Sequence, residues 1–89
     1  GPETCVCVRM RQDVPGLDVY ATLVLRNSDT ILVLTSDPVS GRVGTEWATY
    51  RFKVGSQFRW DRSAQLLLYA SGSLLETTHL HLDTGISVR

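Results

Sequence analysis

The chain has 89 residues, of which 43% are hydrophobic, and its nine lysines and arginines balance nine aspartates and glutamates. A chain of this length supports one small domain with a single core, which excludes a two-domain enzyme. The zero net charge argues against a nucleic-acid partner, because phosphate recognition usually leaves a basic excess. No apolar run approaches the roughly 20 residues that a membrane-spanning helix needs.

The two ends and the cysteines indicate the context of the chain. Gly1-Pro2 resembles the remnant of a cleaved tag, and residues 3–89 are predicted to form one domain. The chain stops at Val88-Arg89 without a turn or capping signal, so we expect a module of a longer protein. Cys5-x-Cys7 does not match a disulfide framework, which at this length usually has at least four cysteines. The cysteines therefore predict a reducing compartment, and we expect an intracellular protein, either cytoplasmic or associated with the cytoskeleton.

A period of two dominates the hydrophobic pattern, and this period indicates β-strands. In the first predicted strand Val6, Val8 and Met10 share one face, opposite a face with Cys7, Arg9 and Arg11. The predicted strands, in chain order, are 6–11, 19–26, 30–35, 47–54, 65–70, 75–83 and a stub at 86–88. About seven strands without a helical period predict an all-β protein, an antiparallel β-sandwich or barrel.

One of these strands is predicted to be central in its sheet and another to be buried. Residues 30–35 are apolar on both faces, which favours a central strand, and residues 65–70 form a leucine-rich segment that we expect to be buried. Phe58 and Trp60 are predicted to share one face of a short segment, as core or rim packing. Turn residues at Val14-Pro15-Gly16 and the breakers in 36–44 predict a tight turn and the longest loop.

Several segments, in the right order, resemble the strands of a C2 domain. Asp18-Val19-Tyr20 stands where that family has an Asp-Pro-Tyr-like tripeptide. Thr45 to Val54 resembles its aromatic-led strand, Gln65-Leu66-Leu67-Leu68-Tyr69 its leucine-rich strand, and Leu74 to Leu82 the strand that follows. The resemblance implies a C2-like antiparallel sandwich of about seven to eight strands.

The calcium chemistry of that family is not expected here. Calcium takes six to eight oxygen ligands, and calcium-binding C2 domains gather several aspartates on two adjacent loops. Asp13 and Asp18 could supply the first loop, but the second would be Ala70 to Ser73, which has no carboxylate. We therefore expect a calcium-independent domain with no cofactor.

The cysteines and histidines suggest a metal site or a nucleophile, and both are disfavoured. Cys5 and Cys7 share a strand face, as do His79 and His81, so zinc could bind if the two strands were neighbours. However, residues two apart on a strand are about 6.5 to 7 Å apart, which makes chelation by either pair awkward. No orienting acid or oxyanion hole accompanies a Cys/His pair, so ordinary thiols and imidazoles, and no enzyme, are expected.

The arginines provide the strongest functional hypothesis. Arg9 and Arg11 share one strand face, Arg51 and Lys53 share another, and Trp47 lies on the latter. If these strands pair, the five side chains form one exposed surface, and an exposed tryptophan beside arginines is a frequent binding anchor. The simpler interpretation is a solvated face whose charges are balanced by nearby acids.

From these features we predict a non-catalytic protein-interaction or scaffolding module of a larger intracellular protein. The alternative is attachment to an anionic phospholipid membrane through the same basic face. The stub at 86–88 also leaves open self-association through an edge strand.

Overall fold

The computed structural model describes residues 4–36, 42–72, 80–83 and 87–89. These residues form an all-β fold with seven strands and two antiparallel sheets, and they contain no helix. The strands are β1 (Thr4–Gln12), β2 (Val19–Arg26), β3 (Ile31–Thr35), β4 (Ala48–Val54), β5 (Gln65–Gly72), β6 (Leu80–Leu82) and β7 (Ser87–Val88).

The first sheet is built around β1. Strand β4 pairs along one side of it, with Val6 opposite Phe52 and Met10 opposite Ala48. Strands β6 and β7 share the other side, where Arg11 lies opposite His81 and Cys7 opposite Ser87. The second sheet has the order β3-β2-β5, with β2 in the middle.

One hydrophobic cluster contains residues from both sheets. Alternate residues of β1, β2 and β4 point into it, as the period of two predicts. Its strand members are Val6, Val8, Met10, Val19, Ala21, Leu23, Leu25, Tyr50, Phe52 and Val54, joined by Val43 and Phe58. The predicted inward faces of β1 and β2 are therefore confirmed.

The predicted turn after β1 is also confirmed. The amide of Leu17 donates to the carbonyl of Val14 at 3.2 Å, which closes a four-residue turn. Gly16 has φ +79°, a left-handed conformation that residues with a Cβ rarely adopt. Proline second and a positive-φ glycine third are the residues that a type II turn requires.

The prediction that residues 30–35 form a central strand is wrong. Strand β3 lies at the edge of the second sheet, and Ile31 and Val33 are each 68% exposed. Strand β5 lies at the opposite edge, with its leucines half-buried and Tyr69 57% exposed. Apolar residues on both faces are therefore compatible here with one covered face and one open face.

Phe58 and Trp60 do not lie on a strand. Phe58 is buried in the core, whereas Trp60 is 42% exposed at its rim. The two rings contact each other edge to face, with centroids 5.0 Å apart and planes at 76°. The predicted packing at the core or its rim is confirmed, but the two residues do not share the face of a strand.

Other predictions fall partly or wholly outside the described residues. They concern Gly1-Pro2, most of the loop at 36–44, the first part of the strand at 75–83, and Ile86 of the terminal stub. From the last two segments the structure describes β6 and β7.

A polar cluster joins the β2–β3 turn to the segment before β5. Oδ1 of Asn27 accepts hydrogen bonds from the amides of Asp29 and Thr30, which organises the turn. Arg59 forms ion pairs with Asp29 and Asp61, and Asp61 also accepts bonds from the hydroxyl and amide of Ser63. These contacts link two loops that are far apart in sequence.

The Asp61 carboxylate predicts a loss of stability in acid. The Ser63 hydroxyl and Arg59 lower the pKa of Asp61 from 3.8 to about 2, so folding favours its charged form. Its contribution should be complete above pH 4 and lost as the pH falls from about 4 to about 2. Thermal unfolding of the protein and of Asp61→Asn should therefore show midpoints that converge over this range. A constant difference down to pH 2 would contradict the prediction.

Candidate interaction surface

The pairing of β1 with β4 brings the five predicted residues to one outward face of the first sheet. We call Arg9, Arg11, Trp47, Arg51 and Lys53 the arginine face. The register places Thr49 opposite Arg9, Arg51 opposite Cys7 and Lys53 opposite Cys5, and one further step places Trp47 beside Arg11. Side chains two apart on a strand share a face. The five residues therefore lie along β1 and β4, with Trp47 immediately before β4.

Two guanidinium groups contact the ring of Trp47. Cζ of Arg9 lies 4.9 Å from the centroid of the Trp47 ring, and Cζ of Arg11 lies 5.5 Å from it. Each distance is within the range of a cation–π contact, which contributes about 0.5 to 1 kcal/mol at an exposed site. The indole is nevertheless 40% exposed, so these contacts orient the ring without covering it.

Carboxylates on neighbouring segments engage both of these arginines. Nη1 of Arg9 lies 3.1 Å from Oδ2 of Asp83, just after β6. Nη1 of Arg11 lies 2.8 Å from Oδ1 of Asp13, whose Oδ2 lies 2.7 Å from Nε2 of His81. The hydrogen bond from His81, with a smaller contribution from Arg11, lowers the pKa of Asp13. Around Arg9 and Arg11 the simpler interpretation is therefore correct, because nearby carboxylates balance the charges of both arginines.

Arg51, farther along the arginine face, has a different environment from Arg9 and Arg11. Nη1 of Arg51 donates to Sγ of Cys7 at 3.8 Å, and none of the ion pairs found among the described residues includes Arg51. A polar cavity of about 250 Å³ opens beside it. The cavity is lined by Cys7, Arg9, Thr49, Arg51, Asp83, Ser87 and Arg89. Three arginines and one aspartate are thus among the residues that line this cavity.

The cysteines and histidines do not assemble a metal site within the described residues. Cys7 is buried and Cys5 half-buried, and both are free thiols. His81 lies opposite Arg11, four positions along β1 from Cys7, which is about 13 Å at 3.3 Å per residue. His79 lies outside the described residues. No group of three or more potential metal ligands occurs among the residues that are described.

The two aspartates that could have formed a calcium loop are both paired with cations. Asp13 contacts Arg11 and His81, and Oδ1 of Asp18 lies 2.9 Å from Nη2 of Arg42. A calcium ion would have to displace these partners before it could recruit either carboxylate.

The second sheet has an apolar outward surface that was not predicted from the sequence. Its outward face places Val24 between Val33 on β3 and Leu67 on β5, with Tyr69 beside Thr22 in the next row. Its strongly exposed members are Tyr20, Ile31, Val33 and Tyr69. The apolar outward residues of β3 are the sequence feature that indicates this surface, although the same pattern is also typical of a central, buried strand.

Comparison of the chain with protein-family models, with curated proteins and with solved structures gives no match. The resemblance to a C2 domain therefore remains a prediction. Among the described residues, no helix has the length and apolar character needed to cross a bilayer.

Proposed function

We propose that the chain is a non-catalytic, calcium-independent protein-interaction or scaffolding module of a larger intracellular protein. The cluster shared by both sheets supports a C2-like sandwich as its fold. The cation partners of Asp13 and Asp18 support calcium independence. The free thiols of Cys5 and Cys7 support a reducing compartment.

The single observation that carries the proposal is the exposed Trp47, whose ring contacts both Arg9 and Arg11. Tryptophan and arginine dominate the binding energy of many interfaces, because both offer a large planar surface with polar edges. The cation–π contacts and ion pairs restrict these side chains before a partner arrives. A side chain that is already ordered loses less conformational entropy on binding, so the face is suited to recognition.

Two further observations favour alternative functions. Arg51 and Lys53 are exposed on the same face, which favours attachment to an anionic membrane as the second candidate. The apolar outward face of the second sheet, with edge strand β3, favours self-association. Trp47 lies on the arginine face and not on the second sheet. A Trp47 substitution should therefore affect binding through the arginine face and leave self-association through the second sheet unchanged.

Trp47→Ala is expected to weaken partner binding at least about 30-fold, the effect of losing about 2 kcal/mol at a central anchor. The immobilised protein is exposed to a cell extract, and the recovered proteins are quantified for the wild type and for Trp47→Ala. Trp60→Ala is the matched control, because Trp60 is 42% exposed, against 40% for Trp47, and packs on Phe58 instead. The thermal midpoint of each variant confirms folding.

The same preparation is tested with vesicles that contain or lack phosphoinositides. Proteins lost with Trp47→Ala but kept with Trp60→Ala support the proposal. Salt-sensitive binding to the anionic vesicles that disappears in Arg51→Glu, without any Trp47-dependent protein, would replace it with the membrane candidate. If the wild type, Trp47→Ala and Trp60→Ala capture the same proteins in equal amounts, the proposal that Trp47 is the binding anchor is rejected.

A further inference from the structure

The cavity beside Arg51 suggests what the partner contributes. The cavity beside Arg51 is lined by three arginines, Arg9, Arg51 and Arg89, and by the hydroxyl-bearing residues Thr49 and Ser87. Asp83 is the only acidic residue among the lining residues, and it pairs with Arg9. The cavity therefore has an excess of hydrogen-bond donors and of positive charge.

We infer that this cavity binds a phosphate monoester on a side chain of the protein partner, an inference that rests on the proposed interaction function. A phosphorylated side chain carries a charge of about −1.5 to −2 and three acceptor oxygens. Guanidinium groups bind such oxygens through paired hydrogen bonds. A carboxylate has one charge and two oxygens, so it matches the donors around Arg51 less completely.

A phosphorylated segment fits the surroundings better than an anionic bilayer does. The carboxylates of Asp13 and Asp83 lie on the same side of the sheet, with side chains 39% and 48% exposed. A negatively charged membrane would approach both of them, whereas one phosphate that enters the cavity approaches Asp83 alone. The whole chain has zero net charge, so it lacks the broad positive field that attracts proteins to such membranes.

The test is a titration of the isotope-labelled protein followed by the amide signals of Cys7, Thr49, Arg51 and Asp83. The probes are a short glycine- and alanine-based peptide with one phosphoserine, its unphosphorylated form, inorganic phosphate, and vesicles containing phosphoinositides. We expect the phosphopeptide to shift these signals, inorganic phosphate to shift the same signals more weakly, and the unphosphorylated peptide to leave them unchanged.

Three variants sharpen the test. Arg51→Gln should weaken phosphopeptide binding at least about 10-fold, because it removes a charged donor that faces the cavity. Arg62→Gln, which neutralises an exposed arginine in the turn before β5, should bind like the wild type. Asp83→Asn should bind more tightly, since it removes the carboxylate that competes for Arg9. Thermal midpoints verify that each variant is folded.

The inference is overturned if the phosphopeptide causes no shift, if Arg51→Gln binds it as tightly as Arg62→Gln, or if only the vesicles shift the signals. Its failure is distinguishable from failure of the proposed function. Trp47-dependent protein capture that survives both phosphatase treatment of the extract and Arg51→Gln would retain the interaction function and reject the phosphate site.

Discussion

Replacement of Phe52 by alanine is expected to lower the free energy of unfolding by about 3 to 5 kcal/mol. Phe52 is fully buried, lies opposite Val6 in the first sheet, and belongs to the cluster that also contains the inward residues of β2. Removal of its ring takes away apolar contacts and leaves a cavity that the strands can fill only in part. A chain of this size has about 4 to 13 kcal/mol of stability, so the variant should be close to unfolding at 37 °C.

Urea denaturation measures the effect, and Thr49→Val is the matched control. Thr49 lies on the same strand but on the exposed face, and valine keeps the branched side chain. We expect the control to change the free energy by less than about 0.5 kcal/mol. A loss below about 1 kcal/mol for Phe52→Ala would mean that the ring does not join the two sheets in one core.

The inward face of β2 was predictable because one face is buried and the other is not. Val19, Ala21, Leu23 and Leu25 alternate with more exposed residues, and the structure buries all four. The turn at Pro15 and Gly16 was predictable because fixed and positive φ values require these residue types. Both predictions depend on local chemistry, which a single sequence contains.

Position within a sheet was not predictable, since it depends on which strands become neighbours. Ile31 and Val33 are as apolar as core residues, yet they lie on the outward face of an edge strand. The leucines of β5 are half-buried for the same reason. Apolar residues on both faces identify a strand and leave its number of neighbours undetermined.

The arginine face was partly predictable. Alternation placed Arg9 and Arg11 on one face and Trp47, Arg51 and Lys53 on another, but only the antiparallel register of β1 and β4 unites them. The pairs of Asp13 with His81 and of Arg9 with Asp83 join residues 68 and 74 positions apart, and no local pattern indicates them. These carboxylates balance the charges of Arg9 and Arg11 beside Trp47, whereas none of the ion pairs found among the described residues includes Arg51.

Gln12 connects the turn after β1 to this surface. Its side chain is almost completely buried, although glutamine is usually exposed. Oε1 accepts from the amide of Val14 at 2.6 Å, and Nε2 donates to the carbonyls of Val14 at 2.7 Å and Leu17 at 3.4 Å. The side-chain amide of Gln12 thus forms hydrogen bonds with backbone groups of Val14 and Leu17, on both sides of Gly16. Gln12 is also the residue immediately before Asp13.

Gln12→Met keeps much of the buried volume and removes these hydrogen bonds. Because it leaves the amide of Val14 and two carbonyls without this partner, we expect a loss of about 1 to 3 kcal/mol in the free energy of unfolding. A looser turn should also weaken the contact between Asp13 and His81, so the lowered pKa of Asp13 should rise towards 3.8. Urea denaturation and carboxyl titration by NMR measure the two effects.

Gln12→Glu separates the acceptor role of the side chain from its donor role. An ionised glutamate still accepts from the amide of Val14 but cannot donate to either carbonyl, and burial of its charge raises its pKa in the folded state. The variant should therefore be most stable relative to the wild type below about pH 4, and lose that stability as the pH rises through the raised pKa. A Gln12→Met protein as stable as the wild type, or a Gln12→Glu protein whose deficit does not change with pH, would show that the turn holds Asp13 in place without the buried amide.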